Sequence, residues 1–316
     1  MKENREYPGQ SGESFMGKVR IVTPIGNDCL LAECTNQISA FDVVLKTQIP
    51  LKGAILNLMA YYNMEATEDI VPNCLIAVTH PRFSLWRKTT PFPLEMVIRG
   101  YLVGSAWRDY KDGKRIICGI TLPDNMVENQ KFSTPIITPT TKAEKGKHDE
   151  NISKEEIIRQ GLVSAFDYEK LESYTYALFK RGTELAENNG LILVDTKYEF
   201  GKDNEKTIRL IDEVHTPDSS RYFYKDDYEK SFSEGLPPRQ LSKEFVREWL
   251  IECGFQGRTG DIEPEFTEEI IESITKRYVE LYQHFNLIMK DLPSLEEDLI
   301  DPYDEICESL LGFQLC

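Results

Sequence analysis

No two of the seven cysteines stand at C-x-x-C spacing, and their number is odd. That excludes the usual zinc ribbon and gives no disulfide framework, so reduced thiols are expected. Four isolated histidines (80, 148, 215 and 284) leave no H-E-x-x-H motif. No stretch approaches the roughly 20 apolar residues of a membrane span, and the polar N-terminus has no apolar signal core. The expectation is a cytoplasmic protein without a membrane partner. Positive charge is also short: 37 Lys+Arg face 53 Asp+Glu, a net of −16. A nucleic-acid partner is not expected, because no basic stripe is present. Residues 261–316 hold 15 acids against three bases, so the acidity is mostly a C-terminal property. Small anionic substrates remain open to such a chain, since they need only a few local cations.

What the sequence does have is the composition of a globular protein, 41% hydrophobic and 28% charged over 316 residues, enough for roughly two domains. Three regions follow. Residues 1–95 read as a mainly β lobe with one helix over GAILNLMAYYNMEAT. Residues 96–235 combine strands, a long loop, a helix from about Ser153 to Asn189 and a hairpin. Residues 236–316 read as helical, with Ile270, Ile274, Tyr278, Leu281, Phe285 and Ile288 spaced as one apolar stripe, the mark of a packing face.

The stretch GESFMGKVR at 12–20 comes one residue short of a P-loop, with Val19 where a metal-binding hydroxyl belongs. The residues before it are polar and broken by Pro8 and Gly9, and those after it alternate around a Pro-Ile-Gly-Asn-Asp turn. A β-hairpin is therefore expected and not a P-loop, although such a turn can still lay its amides over phosphates.

The densest chemistry lies in LILVDTKYEFG, where Asp195, Lys197 and Glu199 occupy alternate positions and leave one face of a strand. The chain turns at GKDNEK and returns through TIRLIDEVHTPDSSR, bringing Asp212 and Glu213 beside that strand. Two carboxylates with a lysine between them suit Mg²⁺ and a nucleotide phosphate. They equally suit a surface hairpin with cross-strand ion pairs. A symmetric turn over 201–206 would set Asp212 opposite Asp195 and away from Glu199, which leaves the ligand pair open. Downstream, Ser219, Ser220 and Arg221 can cradle a phosphate monoester or form a capped turn. Arg99, Gly100, Gly104 and Ser105 in VIRGYLVGSAWRDY make a similar set. The loop from Thr138 to Ser153 carries Lys142, Lys145 and Lys147 against Glu144, Asp149 and Glu150, and Ser153 with Glu156 has the spacing of a capping box.

The segments GKVR, SAFDVVL, GAILN, VIRGYLVGSAWRDY, GITLPDNMVENQKF, TPTTKAEKGKHDENIS, LILVDTKYEFG, LIDEVHTPDSSRY and QLSKEFVREWL together resemble the SAICAR synthetase family in its longer monofunctional form, in order and wording, from about residue 15 to about residue 256. The departure is at Ile21, where the family commonly has an acidic residue. The resemblance implies an α+β SAICAR synthetase fold whose ATP lobes are similar to those of kinases and ATP-grasp enzymes. It implies a ligase of purine biosynthesis that joins the carboxylate of CAIR, a ribosyl-imidazole 5′-phosphate, to the amine of L-aspartate with cleavage of ATP, using Mg²⁺. Carried over by motif, Gly17, Lys18, Val19 and Arg20 would cover the ATP phosphates. Glu95 and Met96 would border the adenine and Lys142 would contact the nucleotide. Glu199 and Asp212 match metal-ligand positions, and Lys197 would face the reacting carboxylate or phosphoryl group. Arg99, Ser105, Ser220 and Arg221 would hold the CAIR phosphate, with Asp195 and Asp218 at the ribose or imidazole, Ser219 binding substrate and Asp149 near the substrates. Two other readings are a small-molecule kinase on the same lobes and a non-enzymatic binding protein presenting the acidic C-terminal helices.

Overall fold

The computed structural model describes residues 6–142, 150–285, 287 and 289–313. Near the N-terminus, β1 (Arg20–Ile25), rich in β-branched residues, and the apolar β2 (Cys29–Cys34) pair from Arg20↔Cys34 to Ile25↔Cys29. The expected hairpin therefore forms, its tip at Gly26, Asn27 and Asp28. A two-residue strand, Phe15–Met16, pairs back onto β1, so that Gly17 to Arg20 is itself a tight turn closed by Gly17 N–H on the Arg20 carbonyl at 2.8 Å. Helix α1 (Lys52–Glu65) follows, then β3 (Leu75–His80) and β4 (Phe83–Arg87). Among the described residues these strands complete a five-stranded antiparallel sheet in the order Phe15–Met16, β1, β2, β4, β3.

A second, larger sheet carries the middle of the chain. Its first strand, β5 (Leu94–Tyr101), leads into the short helix α2 (Gly104–Lys111), and β6 (Lys131–Ile137) returns beside β5. The helix expected from Ser153 to Asn189 is two helices, α3 (Lys154–Arg159) and α4 (Ala165–Asn188). Gly161 at φ +69° ends the first, a left-handed conformation that glycine adopts at little cost. Ser164 then caps the second by accepting from the Asp167 amide at 3.1 Å. Ser153 is the N-cap of α3, accepting from the Glu156 amide at 3.2 Å, as its spacing suggested. Helix α4 buries Tyr168, Leu171, Leu178 and Phe179 and packs against β5 and the twelve-residue strand β7 (Leu191–Lys202).

Strand β7 organises the site. Its first half lies between β5 and β9 (Ser220–Tyr224), and its second half pairs with β8 (Ile208–Ile211). The β7–β8 register is Glu199↔Ile211 and Lys202↔Ile208, three residues away from the symmetric-turn expectation. Asp203 explains the shift: its carboxylate accepts from the Glu205 and Thr207 amides at 3.0 and 2.9 Å and from Arg209 at 2.6 Å, which closes a five-residue turn over 203–207, displaced from the expected 201–206. The chain leaves β8 with Asp212 at φ +68° and His215 at φ +56°, positions that are strained for side-chain-bearing residues. Asp212 thereby returns toward Glu199.

The sheet ends at β10 (Gln240–Leu241), and helices α5 (Glu244–Glu252), α6 (Glu268–His284) and α7 (Tyr303–Gly312) follow. The apolar stripe of α6 is a packing face as expected: Ile274, Tyr278 and Leu281 are buried, while the helix stops before Phe285. Ile288 lies outside the described residues. A single buried cluster draws Ile55, Leu178, Tyr198 and Tyr278 together from all parts of the chain.

Candidate active site

Pleating along β5 and β7 determines which side chains reach the cleft. On β5, Glu95, Val97 and Arg99 line it, whereas Met96 and Ile98 are fully buried in the core. This corrects the expectation for Met96: its side chain points away from the cleft and only its backbone is left to border a base. On β7, Asp195 and Lys197 share the cleft with the Thr196 segment. The cleft has a volume of about 920 Å³ and runs from Glu95 past Asp218 to Arg258.

Two charged centres stand along β7. At the first, Lys197 Nζ donates to Glu199 Oε1 at 2.5 Å, Asp212 Oδ2 at 3.1 Å and Glu95 Oε1 at 3.3 Å. Lys142 meets the other Glu199 oxygen, and Arg20 pairs with Asp212. Burial raises the Glu199 pKa, but Lys197 and Lys142 outweigh it and hold the carboxylate down at about 2. Burial likewise works against the Lys197 ammonium, and Glu199, Glu95 and Glu213 keep it protonated well above the ordinary lysine range. Among the described residues no group of three or more Asp, Glu, His or Cys side chains is arranged to hold a metal ion. The donor set, two carboxylates and no complete cage among the described residues, suits Mg²⁺, which usually takes one or two carboxylates together with substrate phosphates.

The second centre is a rung across three neighbouring strands. Asp195 is the register partner of Arg99 on β5 and of Arg221 on β9. Its Oδ2 accepts from Arg99 at 3.1 Å and from Arg221 at 2.7 Å. Arg99 also donates to Ser105 Oγ at 3.1 Å and Thr138 Oγ1 at 2.9 Å, and Arg221 to Glu244 at 2.8 Å. Burial raises Glu244, but Arg221 and Arg247 bring it to about 2. The guanidinium of Arg221 lies directly over Gly104, so glycine permits the close approach there. Ser219 is in the capped turn with Thr216, whose amide donates to Ser219 Oγ at 3.1 Å. Ser220 Oγ meets Thr196 Oγ1 at 2.8 Å. Both serines still line the cleft.

Gly17, Val19 and Arg20 form the tight turn, with Lys18 Nζ 2.5 Å from Asp42 at the surface. From this turn Arg20 reaches Asp212, and Asp42, the partner of Lys18, lines the cleft. Asp149 lies outside the described residues, and Asn151 of the same segment donates to Asp109 at 3.3 Å.

Asp218, expected at the ribose or imidazole, lines the cleft, while several residues around it escaped the sequence reading. Asp218 sits between Lys52 Nζ at 2.9 Å and Lys243 Nζ at 3.2 Å, and accepts from Tyr278 Oη at 2.5 Å. Burial opposes this charge, yet Lys243 and Lys52 keep its pKa well below the usual carboxylate range. Glu244, Arg247 and Arg258 complete the far wall. For three of these a signal was available: Lys243, Glu244 and Arg247 stand at helical spacing at the start of an amphipathic run, and so share one face.

The chain matches the family model described as SAICAR synthetase over residues 13–260. It is 57% identical to phosphoribosylaminoimidazole-succinocarboxamide synthase of Bacteroides thetaiotaomicron over 90% of each chain, and 53% identical to that of Cytophaga hutchinsonii over 98% of each. The SAICAR synthase of Saccharomyces cerevisiae, solved in complex with SAICAR, superposes with a TM-score of 0.73 at 29% identity, covering 86% of this chain and 93% of that one. A type-2 SAICAR synthetase solved with ADP has the same fold, with a TM-score of 0.67 at 23% identity, over 89% of this chain and all of that one. With α+β architecture, cleft and sequence in agreement, the chain belongs to the SAICAR synthetase family.

Proposed function

We propose that the chain ligates CAIR and L-aspartate to SAICAR, with ATP cleaved to ADP and phosphate. The observation that carries this reading is the arrangement along β7. Lys197 with Glu199 and Asp212, and the Arg99–Asp195–Arg221 rung, open on one strand face. From Asp195 to Glu199 that face extends about 13 Å at the usual strand rise. The guanidinium end suits the 5′-phosphate of a ribonucleotide, and the lysine–carboxylate end suits the polyphosphate of ATP.

A carboxylate is a poor electrophile. Its oxygen attacks the γ-phosphorus, the bond to ADP breaks, and an acyl phosphate forms. The aspartate amine then makes the C–N bond, losing a proton, as the acyl–oxygen bond breaks and phosphate departs. No protein nucleophile is required. Lys197 Nζ faces the oxygens on which charge concentrates, held in place by three carboxylates so that little reorganisation is needed. Arg99 and Arg221 orient the nucleotide from its phosphate, and Asp195 keeps both guanidinium planes aligned. Glu199 and Asp212 would hold Mg²⁺, which would supply positive charge to offset that of the phosphate oxygens. Gly17 to Arg20 would cover the phosphates from the N-terminal sheet.

The test is ADP release from Mg·ATP with CAIR, with and without L-aspartate, while the imidazole product is followed by absorbance. Release that requires both substrates and yields the succinocarboxamide supports ligation. ADP formed at the same rate with CAIR alone refutes the amine acceptor, and no ADP under any condition refutes the enzyme reading.

A further inference from the structure

Helix α6 lies beyond residues 13–260, the part matched by the family model. Its stripe packs as ordinary core, with Ile274 and Leu281 fully buried beside Leu241 and Val246. Tyr278 belongs to the same stripe but ends in a hydroxyl, and a buried tyrosine needs a partner for it. That partner is Asp218, a cleft residue, at 2.5 Å from Oη to Oδ1. The helix also packs against α1, which supplies Lys52. Lys52 is wholly buried, donates to Oδ2 of the same carboxylate, and sits 5.6 Å from the Tyr278 ring centroid.

A carboxylate has about four acceptor positions. Oδ2 receives Lys52 and Lys243, and Oδ1 receives Tyr278. One acceptor position is left, and it belongs to Oδ1. We propose that Tyr278, from the helix outside the matched region, is a positioning residue that leaves Asp218 a single directed acceptor for a hydroxyl or amine N–H of the ribonucleotide substrate. Without the tyrosine hydroxyl, Oδ1 has two free acceptor positions and a carboxylate plane fixed from one side only. The two lysines still hold the charge, so the effect falls on orientation. This inference rests on the ligation reading for the identity of the substrate.

The experiment compares the full-length chain with Tyr278→Phe, an isosteric change, and with Tyr282→Phe, a buried control on the same helix that does not line the cleft. KM for CAIR and for ATP, kcat and the calorimetric Kd for CAIR are measured for each. For Tyr278→Phe we expect KM and Kd for CAIR to rise about tenfold, equivalent to about 1.4 kcal/mol, with KM for ATP within twofold. Tyr282→Phe should leave both KM values within twofold. CAIR constants unchanged in Tyr278→Phe, or CAIR and ATP constants weakened equally in both variants, overturn the proposal. A wild-type chain that binds CAIR without ligating it refutes the function, while Kd still decides the role of Tyr278. A wild-type chain that binds no CAIR overturns both.

Discussion

Replacing Gly104 with alanine places a methyl group against the guanidinium of Arg221. The added Cβ would stand 2.7 Å from Nη2 and 3.0 Å from Cζ, so the guanidinium must retreat by about 0.7 Å to reach an ordinary contact of about 3.4 Å or more. A free arginine would swing aside, but this one is held by Asp195 at 2.7 Å and Glu244 at 2.8 Å. Losing one of these charge-assisted bonds costs about 1.5–3 kcal/mol, which corresponds to a rise of roughly 10- to 100-fold in the KM for CAIR if Arg221 holds its phosphate. The backbone adds its own penalty: at φ +57° alanine costs about 1–2 kcal/mol relative to glycine, lowering Tm by a few degrees. Gly113→Ala separates the two effects. It stands at φ +93° with nothing within 4 Å of its Cβ, so it should lower Tm without altering either KM. Steady-state kinetics with CAIR and ATP varied in turn, alongside thermal melts, measures both. If Gly104→Ala loses stability yet keeps its KM for CAIR within twofold, Arg221 does not hold the nucleotide phosphate.

Lys197→Ala and Glu199→Ala should each abolish ligation, as read by SAICAR formation, while circular dichroism stays that of the folded chain; near-normal turnover in either would remove the lysine–carboxylate centre from the mechanism. Acid stability offers a separate check through His215, whose ring is fully buried and bonded to Tyr198 at 2.7 Å. Burial lowers its pKa from 6.5 to about 3, so the unfolded chain takes up this proton first as pH falls below 6.5. Stability is therefore complete above pH 6.5 and declines toward pH 3, by about 2 kcal/mol between pH 6.5 and 5 from this group. Urea unfolding of wild type and His215→Gln at pH 7 and pH 5 should show a smaller loss in the variant, and equal losses would refute the assignment.

Local pattern was enough to read the β1–β2 hairpin, the strand LILVDTKYEFG with its alternating charges and the cap at Ser153, since each depends on residues a few positions apart. The break between α3 and α4 was missed, the region being read as one helix, although Gly161 followed by Ser164 and Asp167 at capping spacing is a local signal for it. The Glu199–Asp212 pairing was not legible. It depends on a displaced five-residue turn around the Asp203 carboxylate and on Asp212 and His215 in left-handed conformations, which the spacing of residues does not reveal. The surroundings of Asp218 were further still from reach. Lys52 and Tyr278 are separated from it by 166 and 60 positions and meet it only when α1 and α6 pack. Helical spacing identified the stripe containing Tyr278 but could not show that one polar tip would leave it for the cleft.

The Arg99–Asp195–Arg221 rung has a consequence for assembly of the sheet as well as for chemistry. All three side chains are direct register partners on adjacent strands, and the two arginines are flanked by core residues of the opposite parity, Ile98 and Tyr222. A slip of one position in β5 or β9 would turn a guanidinium into the hydrocarbon interior and bring an isoleucine or tyrosine out to water. The three ions thus act as a gauge of alignment. Misaligned sheets are penalised by buried unpaired charge, so a chain that has reached its low-energy pairing has also set the spacing of its two guanidinium groups.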